Sequence, residues 1–410
     1  MKNNNYPWIP REEALKLLLE RTRFQPRVEL VPLDDALGRV TAKDILAINT
    51  LPTSAASNLD GIAFKFTDGF SGGVLEIAKW REGVDYVFSN TGVGIPDGYD
   101  AVVPIEAVRF DNKGRLLLLG RPRPGQYVIP EGSTMRSGDL LVPAHYQLGP
   151  AQLGLLAAGG VMEVAVLEKP RVAILPTGNE LVPAGCRPPR GKNVEFNGIM
   201  IKALVQMMGA EPRLYPITLD KLEDLTEVIT DALNWADIVV LNGGSSKGTD
   251  DRAIEVLEQI GDMLVYEMAY GPGKHTTLAV AGTKPIVGSV GPTIGAEYAI
   301  EWYVLPLINQ YYSLPTEKPR LLQVKLLNDI NAPMAFDFYM RLIVEPRDGA
   351  YVARTTGTLV DQLMANALLH IPKDVKGYHA SDTIEVELRG PLEGGKKKVV
   401  NQFNNLTPIA

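Results

Sequence analysis

Two dipeptides, Thr177-Gly178 and Gly243-Gly244, each close a short apolar run. Glycine at such a junction lets backbone N–H groups approach an anion at a helix start, and phosphate is the natural candidate. Either one alone is as well explained by a turn of the chain. Two at successive strand ends, together with the loop Gly271-Pro272-Gly273-Lys274, point to a phosphorylated ligand whose charge Lys274 would neutralise. Glu180 follows two residues after Gly178, and Asp220 and Asp250-Asp251 fall in loops around the same expected edge. Taken singly each acid could cap a helix or face solvent. Clustered beside phosphates, they suggest Mg²⁺, which takes one or two protein carboxylates together with substrate oxygens.

Other chemistries find no support. The stretch from Gly243 lacks the Gly-Lys-Ser/Thr ending of an ATPase phosphate loop. His145, His275, His370 and His379 are scattered and form no two-histidine helix motif, so a dedicated zinc site is not expected. Ser57-Asn58-Leu59-Asp60-Gly61 reads as a polar turn between strands, and spacing alone gives Asp60 no further role.

The elements that must carry these residues alternate in type. Arg171-Val-Ala-Ile-Leu175 and Asp237-Ile-Val-Val-Leu241 are apolar runs, followed by helical patterns near 197–208 and 251–260; the run Lys284-Pro-Ile-Val-Gly288 precedes a helix near 294–308. Apolar strands alternating with amphipathic helices predict a doubly wound, mainly parallel sheet. Ligands of such sheets sit beyond the carboxyl ends of the strands. Before this region, 11–21 and 149–159 have helical patterns, and 51–119 is a turn-rich, β-favouring stretch placed between them. After Pro315 the pattern becomes short β runs with one helical piece near 361–367, which predicts a C-terminal β domain that could close as a barrel.

Length and composition agree with several globular domains. The chain has 410 residues, 45% hydrophobic and 22% charged, against roughly 100 to 200 residues per ordinary domain. A net charge of -7 argues against a nucleic-acid surface. The lone cysteine, Cys186, permits no internal disulfide and fits a reducing compartment. No run approaches a membrane span, and the charged start resembles no signal peptide, so a cytoplasmic protein is expected.

Several segments together resemble the molybdopterin molybdenumtransferases, the MoeA and gephyrin E-domain family, over nearly the whole chain. Leu51-Pro52 with Ser57, Leu59-Asp60-Gly61 and Ala63 resembles one family segment, and Thr91-Gly92 through Pro96, Gly98 and Asp100 to Val103 resembles a second. Leu148-Gly149-Pro150 with Leu153, and Arg171 through Thr177-Gly178, Glu180 and Leu181, match almost position for position. Gly243-Gly244, Ser246, Gly248, Asp251 and Pro272-Gly273-Lys274 follow in family order.

The resemblance implies four parts: a discontinuous linking domain (1–47 and 134–168), an inserted β-rich domain (48–133), a central α/β molybdopterin-binding domain of MogA/MoaB type (169–316) and a C-terminal β-barrel (317–410). It implies a homodimer whose cleft is formed by the central domain of one subunit and the inserted domain of the other. Asp60, Glu180, Asp220 and Asp251 would be its catalytic and Mg²⁺-holding acids. Thr91, Thr177, Gly178, Gly243, Gly244, Ser246, Gly273, Lys274 and, as a weaker match, Arg341 would bind adenylated molybdopterin. The implied reaction releases AMP and inserts metal from molybdate, or from tungstate in an adapted enzyme. Its implied partners are a MogA-type adenylyltransferase and molybdoenzyme acceptors.

The chain also departs from that pattern. Gly132-Ser133-Thr134 replaces Gly-Glu-Asp, Gly271 replaces the first lysine of Lys-Pro-Gly-Lys, and Val290-Gly291-Pro292-Thr293-Ile294-Gly295 replaces a Pro-Gly-Asn-Pro-Val-Ser turn. Ala55-Ala56 stand for Asp-Asn, and Thr358-Leu359-Val360 stand near Gly357 for a Gly-Ser motif. Oxyanion sites rely on such cations, hydroxyls and turn amides, so the replacements bear most on molybdate. They define the competing expectation, a paralogue that holds molybdopterin or a partner protein without turnover.

Overall fold

The computed structural model describes residues 6–66, 74–76, 80–113, 116–120, 122–243, 252–316, 318–332 and 335–392. The chain divides into two compact units, Arg27–Glu168 and the combination of Met1–Pro26 with Lys169–Ala410. Among the described residues no helix is long and apolar enough to cross a membrane.

The larger unit is built on a six-stranded sheet in the order Glu211–Leu214, Arg171–Pro176, Ile238–Asn242, Lys284–Ser289, Thr277–Ala281, Asp262–Val265. The first four strands are parallel. The last two are antiparallel additions, so the sheet is mainly parallel, as the apolar runs predict. Central strands buried on both sides must be apolar throughout, and Val172, Ala173, Ile174 and Leu175 are all fully buried. Side chains alternate across the sheet. Ala173, Leu175, Val239 and Leu241 form one core with Leu225, Ile229, Val256 and Leu257 of the helices Leu222–Trp235 and Arg252–Ile260. The helix Asn197–Met207 packs on the strand Arg171–Pro176 and on the helix Thr293–Ala299. Gly209, at φ +81°, ends its turn as the sequence predicts.

The single helix expected at 294–308 is three pieces: Thr293–Ala299, a π-helical turn Ile300–Val304, and Leu305–Tyr312. Pro306 has no N–H to continue an α-helical ladder, and the wider turn lies where that bond is lost. The helix Arg11–Arg21 packs on the strands Thr277–Ala281 and Asp262–Val265.

Beyond these elements, five strands close a ring: Asp337–Arg347, Ala350–Thr355, Leu321–Leu326, Thr383–Leu388 and Ala367–Ile371, the last pairing again with the first. Its interior is filled by Val324, Leu342, Val344, Leu369, Ile371 and Val386. The expected helical piece is Leu359–Leu363, opened by a Thr358–Asp361 capping box.

The smaller unit holds two kinds of core. The paired strands Val28–Pro32 and Glu163–Leu167, with the helix Pro150–Ala158, enclose Val31, Leu148, Leu156, Val164 and Val166. The three-stranded sheet Tyr86–Ser89, Gly61–Phe64, Ala101–Pro104 encloses Ile62, Phe64, Tyr86 and Val103.

Candidate active site at the carboxyl edge of the parallel sheet

Three parallel strands end on one polar knot. Asn242, the last residue of its strand, is buried and donates through Nδ2 to Ser289 Oγ at 3.0 Å and to the Val290 carbonyl at 2.9 Å. Ser289 Oγ in turn donates to the Leu241 carbonyl. Thr177 N donates to the Asn242 carbonyl at 2.9 Å, and Gly243 N to the Ser289 carbonyl at 3.1 Å. The two loops cross so closely that a Cβ at position 243 would stand 2.2 Å from the Thr177 carbonyl oxygen, at a φ of +107° that favours glycine. The glycine that the sequence singled out is therefore required by the crossing of the chain itself.

Thr177, Gly178, Glu180, Asp220 and Gly243 meet at this edge. Thr177 and Thr218 form a parallel bridge, and Gly178 N donates to the Thr218 carbonyl. Asn179 and Asp220 exchange hydrogen bonds: Asn179 N donates to Asp220 Oδ2, and Asp220 N to Asn179 Oδ1, both at 3.2 Å. The Glu180 carboxylate folds back over Gly178, where a Cβ would lie 2.7 Å from Oε2. Burial pushes the Asp220 carboxyl above its usual range; the Asn179 N–H opposes this and the Glu180 charge adds to it. Among the described residues Asp220 Oδ1 and the buried Thr177 Oγ1 have no hydrogen-bond partner. Buried oxygens in that state call for an outside donor or cation. A pair of acids with one spare oxygen suits Mg²⁺ shared with substrate phosphates.

Sequence reasoning did not name Asn242, Ser289, Asn179 or Asn197 as site residues. A polar residue in the last position of an apolar strand was the available signal for Asn242. Asn197 opens a helix and donates to the Gly291 carbonyl at 2.8 Å, tying that helix to the same edge.

In the other unit, Asp60 and Thr91 are brought together. Asp60 Oδ1 accepts from Thr91 N at 2.8 Å and from Thr91 Oγ1 at 3.2 Å. Asp60 is exposed on the turn before its strand; the turn was legible, and the partner was not. Gly244, Ser246 and Asp251 lie outside the described residues.

The two expected ligand-binding cations lie against protein groups. Lys274 Nζ lies 3.8 Å from the centroid of the Trp8 ring and 4.0 Å from Glu267 Oε2. Gly273 beside it packs on Gly295, in the first turn of the helix Thr293–Ala299, where a Cβ would lie 3.1 Å from Gly273 N. Arg341, on a barrel strand, is 6% exposed and pairs at 2.8 Å with Glu297 of that helix, its guanidinium over the Tyr298 ring. Arg341 is thus ion-paired within the protein, whereas Lys274 is attracted to Glu267 and the Trp8 ring without a short hydrogen bond.

Comparison with known proteins accounts for this architecture. Residues 9–160 match the family described as the MoeA N-terminal region (domains I and II). Residues 173–310 match the probable molybdopterin binding domain. Proteins named molybdopterin molybdenumtransferase from Staphylococcus epidermidis and Nostoc sp. are 27% and 29% identical, over 92% and 87% of this chain and 94% and 87% of their own. A solved MoeA structure from Pyrococcus horikoshii covers 94% of this chain and 100% of its own, at a TM-score of 0.78 and 27% identity. The chain belongs to the MoeA family of molybdopterin molybdenumtransferases.

Proposed function

We propose that this protein is the transferase of molybdenum cofactor assembly that releases AMP from adenylated molybdopterin and leaves molybdate-derived metal on the pterin. The observation that carries the reading is the meeting of Thr177, Gly178, Glu180, Asp220 and Gly243 at one sheet edge, with unpartnered Asp220 and Thr177 oxygens. Backbone amides of the glycine loops would hold the pyrophosphate link. Glu180 and Asp220 would hold Mg²⁺, and bound Mg²⁺ would supply charge neutralisation for the departing phosphate. Asp220, destabilised as a free carboxylate, gains most from that cation.

The same reading gives Asp60 and Thr91 a part in the reaction, names Asp251, Gly244 and Ser246 as further site residues, and gives Lys274 a phosphate oxygen. It takes a homodimer as the working form, in the cytoplasm, served by a MogA-type adenylyltransferase and serving molybdoenzyme acceptors. It divides the chain at 1–47 with 134–168, 48–133, 169–316 and 317–410. Separate cores support the last three pieces, whereas the helix Arg11–Arg21 packs with the central sheet.

The replaced lysine at Gly271 favours the competing reading, a carrier that binds pterin without turnover. One assay separates the two: purified protein with adenylated molybdopterin, Mg²⁺ and either molybdate or tungstate, with AMP followed against a control lacking oxyanion. Oxyanion-dependent release establishes the transferase and reports metal preference. Tight pterin binding without release identifies the carrier.

A further inference from the structure

The N-terminal segment is tied to the loop that carries Lys274. The strand Trp8–Ile9 pairs in parallel with Glu267–Met268. Ala269 N donates to the Ile9 carbonyl at 2.8 Å, Met268 N donates to the Lys274 carbonyl at 2.7 Å, and Tyr6 stacks on Tyr266 with centroids 3.7 Å apart. The Trp8 indole N–H donates to Glu267 Oε2 at 2.9 Å. That oxygen is the one 4.0 Å from Lys274 Nζ, while Glu267 Oε1 stands 3.3 Å from His275 Nδ1. The Phe336 ring, edge-on to Trp8, has its centroid 5.8 Å from the ammonium.

Glu267 is 5% exposed, so its charge needs nearby donors and cations, and three side chains converge on it. Lys274 is the loosest of them. At 4.0 Å its ammonium is attracted without forming a short hydrogen bond, and the Trp8 face supplies a second attraction that uses none of its N–H groups. A lysine held this way loses its rotamer freedom before a ligand arrives, yet keeps donors to offer. We infer that Trp8 and Glu267 are positioning residues, which set where the Lys274 ammonium stands to meet a phosphate oxygen of the substrate. The inference rests on the proposed phosphate-binding role of Lys274 and extends it to the N-terminal strand.

The test is a double-mutant cycle on the full chain, with two readouts: AMP release and calorimetric binding of inorganic pyrophosphate. Trp8→Ala and Glu267→Gln should each weaken pyrophosphate binding roughly three- to thirtyfold, the span of one cation–ring or charge contact. Trp8→Phe, which keeps the ring, should retain most of the affinity. In a Lys274→Ala background, Trp8→Ala should cost nothing further, because its effect runs through the lysine; a merely structural residue would cost the same in both backgrounds. Additive losses overturn the inference, as does wild-type protein that binds pyrophosphate no better than Lys274→Ala. Intact coupling on pyrophosphate with no AMP release from wild type supports the inference and sinks the proposed reaction.

Discussion

The Phe336 ring occupies the space in which a side chain at position 271 would begin: a Cβ built on Gly271 lies 2.7 Å from Phe336 Cε2. A lysine placed there must first displace that ring. Gly271→Lys should fail to raise AMP release. Forcing bulk into an occupied space typically costs about 1–3 kcal/mol, which should show as a lower melting temperature. Combined with Phe336→Ala, the loss should be smaller than the sum of the single losses. Thermal melts of the three variants give the answer, and strict additivity would refute the packing conflict.

Asp220 gives a pH signature. Its folded-state pKa is raised, chiefly by burial, so between the ordinary carboxyl value and the raised one the folded protein binds more protons than the unfolded chain. Stability then falls as pH rises through that window. Without Mg²⁺, Asp220→Asn should melt higher than wild type near neutral pH, with the difference vanishing below about pH 4. Mg²⁺ should raise the wild-type melting temperature and leave Asp220→Asn unchanged. A wild type indifferent to Mg²⁺, or a variant that responds equally, would remove Asp220 from the metal-holding role.

Asp60 and Glu180 are both exposed, so their removal should spare the fold and strike the chemistry. Asp60→Ala and Glu180→Ala should each lower AMP release by about a hundredfold or more, the scale of one lost electrostatic group at a reacting phosphate. Melting temperatures should stay within a few degrees of wild type. Thr91→Val, which removes the 3.2 Å hydroxyl contact and keeps the 2.8 Å backbone one, should cost less than Asp60→Ala. Full activity in both alanine variants would refute the assignment.

Strand ends were legible because each apolar run stops at a glycine or polar residue, and the alternation of runs and helices implies the parallel sheet. Sequence reasoning likewise placed Asp60 on its turn. Contacts made across the fold were not legible. The Thr91 partner of Asp60 lies 31 residues away, the Asn179–Asp220 exchange spans 41, and nothing in local spacing announces either. Nor could the aromatic wall around Lys274 be read, since Trp8 and Phe336 reach it from opposite ends of the chain. The resemblance supplied positions for Lys274 and Arg341, but which way a long side chain turns depends on neighbours that a motif does not contain.

Arg341 is held by such neighbours. The resemblance offers it as a ligand-binding residue, whereas its side chain is buried against Glu297 and Tyr298. A buried ion pair broken on one side leaves an uncompensated charge, at a cost of about 3–5 kcal/mol. Arg341→Met should therefore lower the melting temperature sharply and leave pyrophosphate affinity near the wild-type value in the protein that remains folded. Glu297→Gln should destabilise as well, and Arg341→Met with Glu297→Gln should lose less than the two losses combined, because no charge is then stranded. Calorimetric binding at low temperature, beside melts of all three variants, distinguishes the roles. An Arg341→Met protein that melts like wild type but no longer binds pyrophosphate would return the residue to the ligand site.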